Sequence, residues 1–160
     1  MSSMKRQFRL PSLLLPVLGS IMIAIGGCAM NSPIMIVAPQ PAPLAMAVRL
    51  CDSAALGCVN TTNFSLASMR DLTVNVDWQN VPGGTHTQQL AVLLPNGVVY
   101  QTISQGFGVP ESTLGSPTVI DAMPVAGTFI TQRQLAGEWT VQVSLDGAVV
   151  GLQKFQLEAN

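Results

Sequence analysis

Glu138-Trp139-Thr140-Val141-Gln142-Val143-Ser144-Leu145 alternates in character from its first residue to its last. A period of two puts Trp139, Val141, Val143 and Leu145 on one face of a strand, with Glu138, Thr140, Gln142 and Ser144 on the other. Asp146-Gly147 follows, a pair suited to the positive φ angles of a tight hairpin turn. The chain from Ala148 to Leu157 then returns beside the first strand, bringing Phe155 and Leu157 opposite the apolar set. A hairpin with one apolar face needs a second layer to cover it, so the rest of the chain must supply that layer.

Upstream the same period recurs. Leu72-Thr73-Val74-Asn75-Val76-Asp77-Trp78 alternates with Leu72, Val74, Val76 and Trp78 facing inward. Pro82-Gly83-Gly84 reads as a turn, Thr87 to Leu94 as another strand, and Asn96-Gly97 as the hairpin that joins it to Val98–Ile103. Gln105 to Pro117 carries three glycines and two prolines and is expected to be a mobile loop. Thr118 to Val125 suggests a strand either ended or demoted to an edge by Pro124, and Thr131 to Ala136 a single helical turn. Strands are thus expected near 45–51, 60–66, 72–79, 86–94, 98–104, part of 117–131, 138–145 and 148–158. Seven or eight short strands spaced by turn signals, with no helical stretch between them, predict an all-β antiparallel sandwich. The closing Gly137-x-Trp139-x-Val141-x-Val143, followed by Asp146-Gly147, Val150-Gly151 and Phe155, resembles the last hairpin of bacterial immunoglobulin-like domains. The resemblance implies that architecture over residues 45–160, and no single function.

The beginning of the chain has a different grammar. Lys5, Arg6 and Arg9 precede a run from Leu10 to Ile25 that is apolar apart from Ser12 and Ser20, with Pro11 and Pro16 inside it. That is the charge order of an export signal, and the run is shorter than a membrane-spanning helix requires. Ile25-Gly26-Gly27-Cys28 resembles the lipobox of bacterial lipoproteins, with Ile in place of the commoner Leu. The resemblance implies that residues 1–27 are a signal peptide removed before Cys28, and that Cys28 carries the acyl chains, palmitate among them. Two or more chains hold a protein stably on a bilayer where one does not. Ala29 stands where an Asp would retain a lipoprotein at the inner membrane, so the implied address is the outer membrane, facing the periplasm. Residues 28–44 then read as the lipidated Cys and a tether, in which Pro39, Pro41 and Pro43 favour extended backbone. Its apolar Ile34-Met35-Ile36-Val37 suits the domain, the lipid surface or a partner equally well.

After residue 27 four cations, Arg49, Arg70, Arg133 and Lys154, face eight acids, and no basic run remains. Nucleic acid is therefore a poor partner. Cys51 and Cys58 are the two thiols left once Cys28 is acylated, and an oxidising envelope makes a disulfide their economical assignment. A loop that short contributes roughly 2 to 3 kcal/mol on the chain-entropy account. A redox pair would call for Cys-x-x-Cys at a helix start. A metal site needs more ligands than two thiols and His86, so no metal is expected.

Catalytic signatures are absent: no paired carboxylates, nucleophile elbow or phosphate-binding glycine loop occurs. His86, the single histidine, is expected at a turn mouth with a backbone hydrogen bond; a role as ligand or general base is the alternative. Asp71 and Asp77 are read as solvated or capping residues, with a cation site as the other possibility. Met30, Met35 and Met46 serve either an adaptable contact or core filling. Neither a catalytic residue nor a cofactor is expected. The expected role is that of a membrane-anchored protein that binds another envelope component, for instance as an accessory subunit of a secretion, pilus or transport assembly. Its contact residues would be Gly83, Gly84, His86, Phe107 and Pro110, in the loops 79–86 and 105–117. The alternative is a periplasmic small-ligand binder or enzyme inhibitor acting through the same loops.

Overall fold

The computed structural model describes residues 42–159, all within one compact unit, Gln40–Asn160. The expected signal peptide, Cys28, Met30, Met35 and most of the expected tether lie outside the described residues. Eight strands follow one another: β1 Ala45–Asp52, β2 Asn63–Ser65, β3 Asp71–Gln79, β4 Val81–Leu93, β5 Val99–Gly115, β6 Thr118–Pro124, β7 Gly137–Leu145 and β8 Ala148–Glu158. One helical turn, α1 Phe129–Gln132, precedes β7.

These strands form two sheets, one ordered β1-β3-β6 and the other β2-β8-β7-β4-β5. The chain crosses between them after β1, β2, β3, β5 and β6, and every pairing is antiparallel except β2 with β8. The first strand is split: β1 joins the small sheet and β2 runs parallel to the last strand of the large one. This arrangement is an immunoglobulin-like sandwich.

Periodicity places the core. Leu72, Val74, Val76 and Trp78 from β3 and Trp139, Val141, Val143 and Leu145 from β7 are all buried, as their alternation requires. Trp139 stacks on Phe155 with centroids 6.2 Å apart, Phe64 meets Phe155 edge-on at 6.0 Å, and Tyr100 meets Trp139 edge-on at 5.6 Å. The indole Nε1 of Trp139 donates to Leu135 O at 3.0 Å, so burial leaves it no unmet donor. Met46 packs against this core beside Gly151, which makes it core filling.

Asp146 and Gly147 both have positive φ, 51° and 84°, as their hairpin turn demands. The helical turn begins earlier than expected, at Phe129 rather than Thr131. Thr128 fixes the start: its Oγ1 accepts from Ile130 N at 3.3 Å and donates to Val125 O at 2.7 Å.

Two expected loops are strand. Pro82-Gly83-Gly84 lies within β4, and Gln105 to Gly115 belongs to β5. The switch from β3 to β4 instead takes a single residue, Asn80, at φ 58°. Local propensity loses here to long-range pairing: Gly84 faces Val109, Thr85 faces Gly108, His86 faces Phe107 and Thr87 faces Gly106, so Gly84, Gly106 and Gly108 each have a ladder partner. The prolines fall at the register shift between Pro82 and Gly84, where the missing N–H groups cost least. The segment expected as a strand over 60–66 contracts to three residues.

Candidate functional site

Strands β4 and β5 run on past the β7–β8 turn as a two-stranded ribbon, and this ribbon collects the residues expected in contact loops. Gly83, Gly84 and His86 stand on β4, Phe107 and Pro110 on β5. Gly84, His86 and Phe107 are therefore held by ladder pairs, and Gly83 and Pro110 sit at the register shift within the same two strands, rather than on loops. Gly83 is needed for the close approach of the two strands: a Cβ there would lie 2.6 Å from Pro110 O and 2.8 Å from Glu111 Cα. Opposite it Pro110 to Thr113 bows outward, with Ser112 at φ 64° and Thr113 Oγ1 donating to Pro110 O at 2.6 Å.

His86 is the centre of this end. Its ring lies 5.7 Å from that of Phe107, and its side chain is 12% exposed. Nδ1 is 2.8 Å from Asp146 Oδ2, and Nε2 is 2.9 Å from Pro82 O. Both partners are acceptors only, so the doubly protonated ring, a donor at each nitrogen, is the form that satisfies both. The Asp146 carboxylate, and after it the Pro82 carbonyl, raise the His86 pKa above its ordinary 6.5. Asp146 is held below its ordinary 3.8 by His86 and by Thr87 N–H, which donates to Oδ1 at 2.8 Å. The acid partner that sequence reading missed is Asp146, 60 residues away in the β7–β8 turn.

A His–Asp pair invites comparison with the base and orienting acid of a catalytic triad. In that arrangement the second ring nitrogen faces a nucleophile. Here that direction is occupied by the Pro82 carbonyl, which can neither be activated nor attack. The geometry suits a clamp: it ties the turn after β7 to the irregular start of β4.

A second polar cluster lies inside the sandwich. Trp78 Nε1 donates to Gln88 Oε1 at 2.7 Å, and Gln88 Nε2 donates to Asp121 Oδ2 at 2.8 Å. Gln105, with its amide oriented to match donors to acceptors, donates to Asp121 Oδ1 at 2.9 Å and to Ile120 O at 3.2 Å. Gln88 is completely buried and Asp121 nearly so, yet every oxygen of the carboxylate is met. The chain links β3, β4, β6 and β5 across both sheets. Its signal was present: Gln88 shares the inward phase of Leu90 and Val92, and Asp121 that of Val119 and Met123.

The remaining candidates separate. Asp77 pairs with Arg49, Nε to Oδ2 at 2.9 Å, and accepts from Thr118 at 2.6 Å; those contacts lower its pKa. Asp71 accepts from Ser53 Oγ at 2.9 Å. Neither joins a cation cage, and among the described residues no group of three His, Cys, Asp or Glu side chains stands close enough to hold a metal. Cys51 and Cys58 form a disulfide with Cα atoms 5.2 Å apart, and Asn75 Nδ2 donates to Cys58 Sγ at 3.1 Å. Beside it runs a shallow groove of about 270 Å³ that includes Asp52, Thr73, Asn75 and Ile120. A second, of about 320 Å³, lies by the Glu138–Lys154 ion pair.

No family model matches the chain, and no curated protein does. Solved structures do. An immunoglobulin-like protein from Pseudomonas aeruginosa aligns with 74% of this chain and 98% of its own, at 17% identity and a TM-score of 0.43. The alkylpurine DNA glycosylase of Pseudomonas fluorescens bound to DNA aligns with 71% of this chain at 12% identity and a TM-score of 0.46. A putative β-galactosidase from Bacteroides fragilis aligns with 67% at 10% identity and a TM-score of 0.35. The chain spans 30% of the glycosylase and 15% of the galactosidase. At these identities the likeness concerns the path of the chain alone.

Proposed function

We propose that the protein is a non-catalytic lipoprotein, anchored through Cys28 at the outer membrane and facing the periplasm, whose sandwich binds another envelope component. An accessory subunit of a secretion, pilus or transport assembly is the concrete form of this reading. The observation that carries the binding role is the ribbon beyond the β7–β8 turn. Its residues are exposed or half-buried from Pro82 to Thr87, and its shape is held by a ladder and by the His86–Asp146 clamp. A prearranged surface of this kind loses little conformational freedom on binding. The non-catalytic part is supported by His86, both of whose ring nitrogens are engaged by acceptors. The small-ligand alternative has less support, because the two grooves are shallow and lie one just above and one below the lower bound of ligand-site volumes, about 300 to 1,000 Å³.

The test is crosslinking and affinity recovery of the full-length protein from its native membrane, compared with a Cys28→Ser form. A defined set of envelope proteins recovered with the wild type and lost with the variant supports a tethered subunit. Recovery of nothing with either form overturns it. The same preparation treated to release fatty acids reads the anchor directly.

A further inference from the structure

A sandwich of two open sheets has four lateral edges, and three of them here are blunted. The outer side of β1 is covered where Leu50 N donates to Asn60 Oδ1 and Leu50 O accepts from Thr61 N. Strand β2 is three residues long and pairs with β8 only from Gln156 to Glu158, and the stretch of β8 that it leaves open carries the charge of Lys154. Strand β6 ends at Pro124, and its Ile120 carbonyl accepts from the Gln105 amide. The fourth edge is β5, which among the described residues pairs only with β4.

A long regular edge is usually guarded by a charge, a proline or a bulge, because its open row of N–H and C=O groups is a template for another strand. From Val99 to Val109 β5 reads Val-Tyr-Gln-Thr-Ile-Ser-Gln-Gly-Phe-Gly-Val, without one charge or proline. Its register with β4 is unbroken from Gln101 to Val109. Apart from a bulge at Tyr100, at its start, the guards appear beyond that stretch, at Pro110, Glu111 and the positive-φ Ser112. Three strands also cannot cover five, so β5 overhangs: Tyr100, Ile103 and Phe107 are only half-buried and Val99 is 53% exposed.

We propose that this edge docks a second copy of the same chain, β5 against β5, antiparallel about a twofold axis at Ser104. Two identical strands related by a twofold axis perpendicular to their sheet are necessarily antiparallel, and each residue meets the mirror position of its own sequence. Ser104 is the midpoint of the uncharged stretch. With the axis there, Thr102 faces Gly106, Gln101 faces Phe107 and Ile103 faces Gln105. No charged residue meets itself, and Glu111 falls outside the paired segment. A different protein would have to bring a matching edge of its own, whereas a second copy needs only neutrality and small side chains at the axis, and both are present. The two large sheets then become one continuous sheet, and the overhanging apolar residues of each copy gain a neighbour.

The test uses the full chain with Cys28→Ser, which removes the one thiol outside the disulfide, in density-matched detergent. Ser104→Cys should form a covalent dimer under mild oxidation, and Glu138→Cys, two strands away on β7, should not. Thr102→Lys with Ser104→Lys should halve the sedimenting mass while circular dichroism stays unchanged and the thermal midpoint loses its dependence on protein concentration. A monomer at every concentration overturns the proposal. So does a dimer that ignores the lysines, or equal crosslinking at positions 104 and 138.

Discussion

Under Trp139 the sheets meet through apolar side chains, Phe155, Phe64, Ile130, Leu157 and Met123 among them. Toward the other end of the same strands they meet through Gln88 and Asp121, and beyond that the ribbon is held by His86 and Asp146. Apolar burial supplies free energy but tolerates rearrangement, whereas a buried hydrogen-bonded chain is satisfied in one arrangement only. One end therefore contributes most of the stability, and the other fixes how β4, β5 and β6 lie against each other.

Trp139→Ala should break that division most severely. The vacated volume lies between Tyr100 and Phe155, and the cost should be about 3 to 5 kcal/mol in chemical denaturation. Gln88→Ala should cost about 2 to 3 kcal/mol, because it strands the Trp78 indole N–H and half of the Asp121 carboxylate. Asp121→Ala in that background should then cost less than it does alone, a coupling of about 1 to 2 kcal/mol from a double-mutant cycle. Simple additivity would show that the two ends are not held differently. Gly83→Ala should cost about 1 to 3 kcal/mol by forcing the ribbon apart at Pro110, with amide exchange rising from Val81 to Thr87 and little change near Trp139.

The smallest effect should come from pH. His86 has a raised pKa when folded, so its contribution is complete below its ordinary 6.5 and is lost as pH rises through the folded value. Asp146, with a lowered pKa, contributes above its ordinary 3.8 and loses that contribution as pH falls through its folded value. The thermal midpoint should therefore decline by no more than a few degrees as pH is raised above 6.5. His86→Gln should flatten that decline. An unchanged slope in the variant would remove His86 from the account.

The apolar end was open to sequence reading because its determinants are local. Alternation places Trp139 and Val141 inside, and Asp146-Gly147 and Asn96-Gly97 set the hairpins within two residues. The ribbon end was not, because its determinants are distant. His86 and Asp146 are 60 residues apart, and Gln88 and Asp121 are 33 apart. Glycine and proline in Gln105–Pro117 report only weak local preference, and the ladder with β4 outweighs it. The polar residues at inward phase were the overlooked clue, since a Gln or Asp in a core row implies a partner in another row.

The direction of β2 has a mechanical corollary. It runs parallel to β8, Asn63 beside Gln156 and Ser65 beside Glu158, while β1 runs antiparallel to β3 over eight registered pairs. Residue 42 and residue 158 consequently lie at opposite poles, with Asn80 Nδ2 donating to Pro43 O at the first. Tension applied between those poles would pull along the strands and load the β1–β3 ladder in shear, all its bonds together, rather than peel them apart one by one. A domain threaded this way resists extension along its strands more than across them.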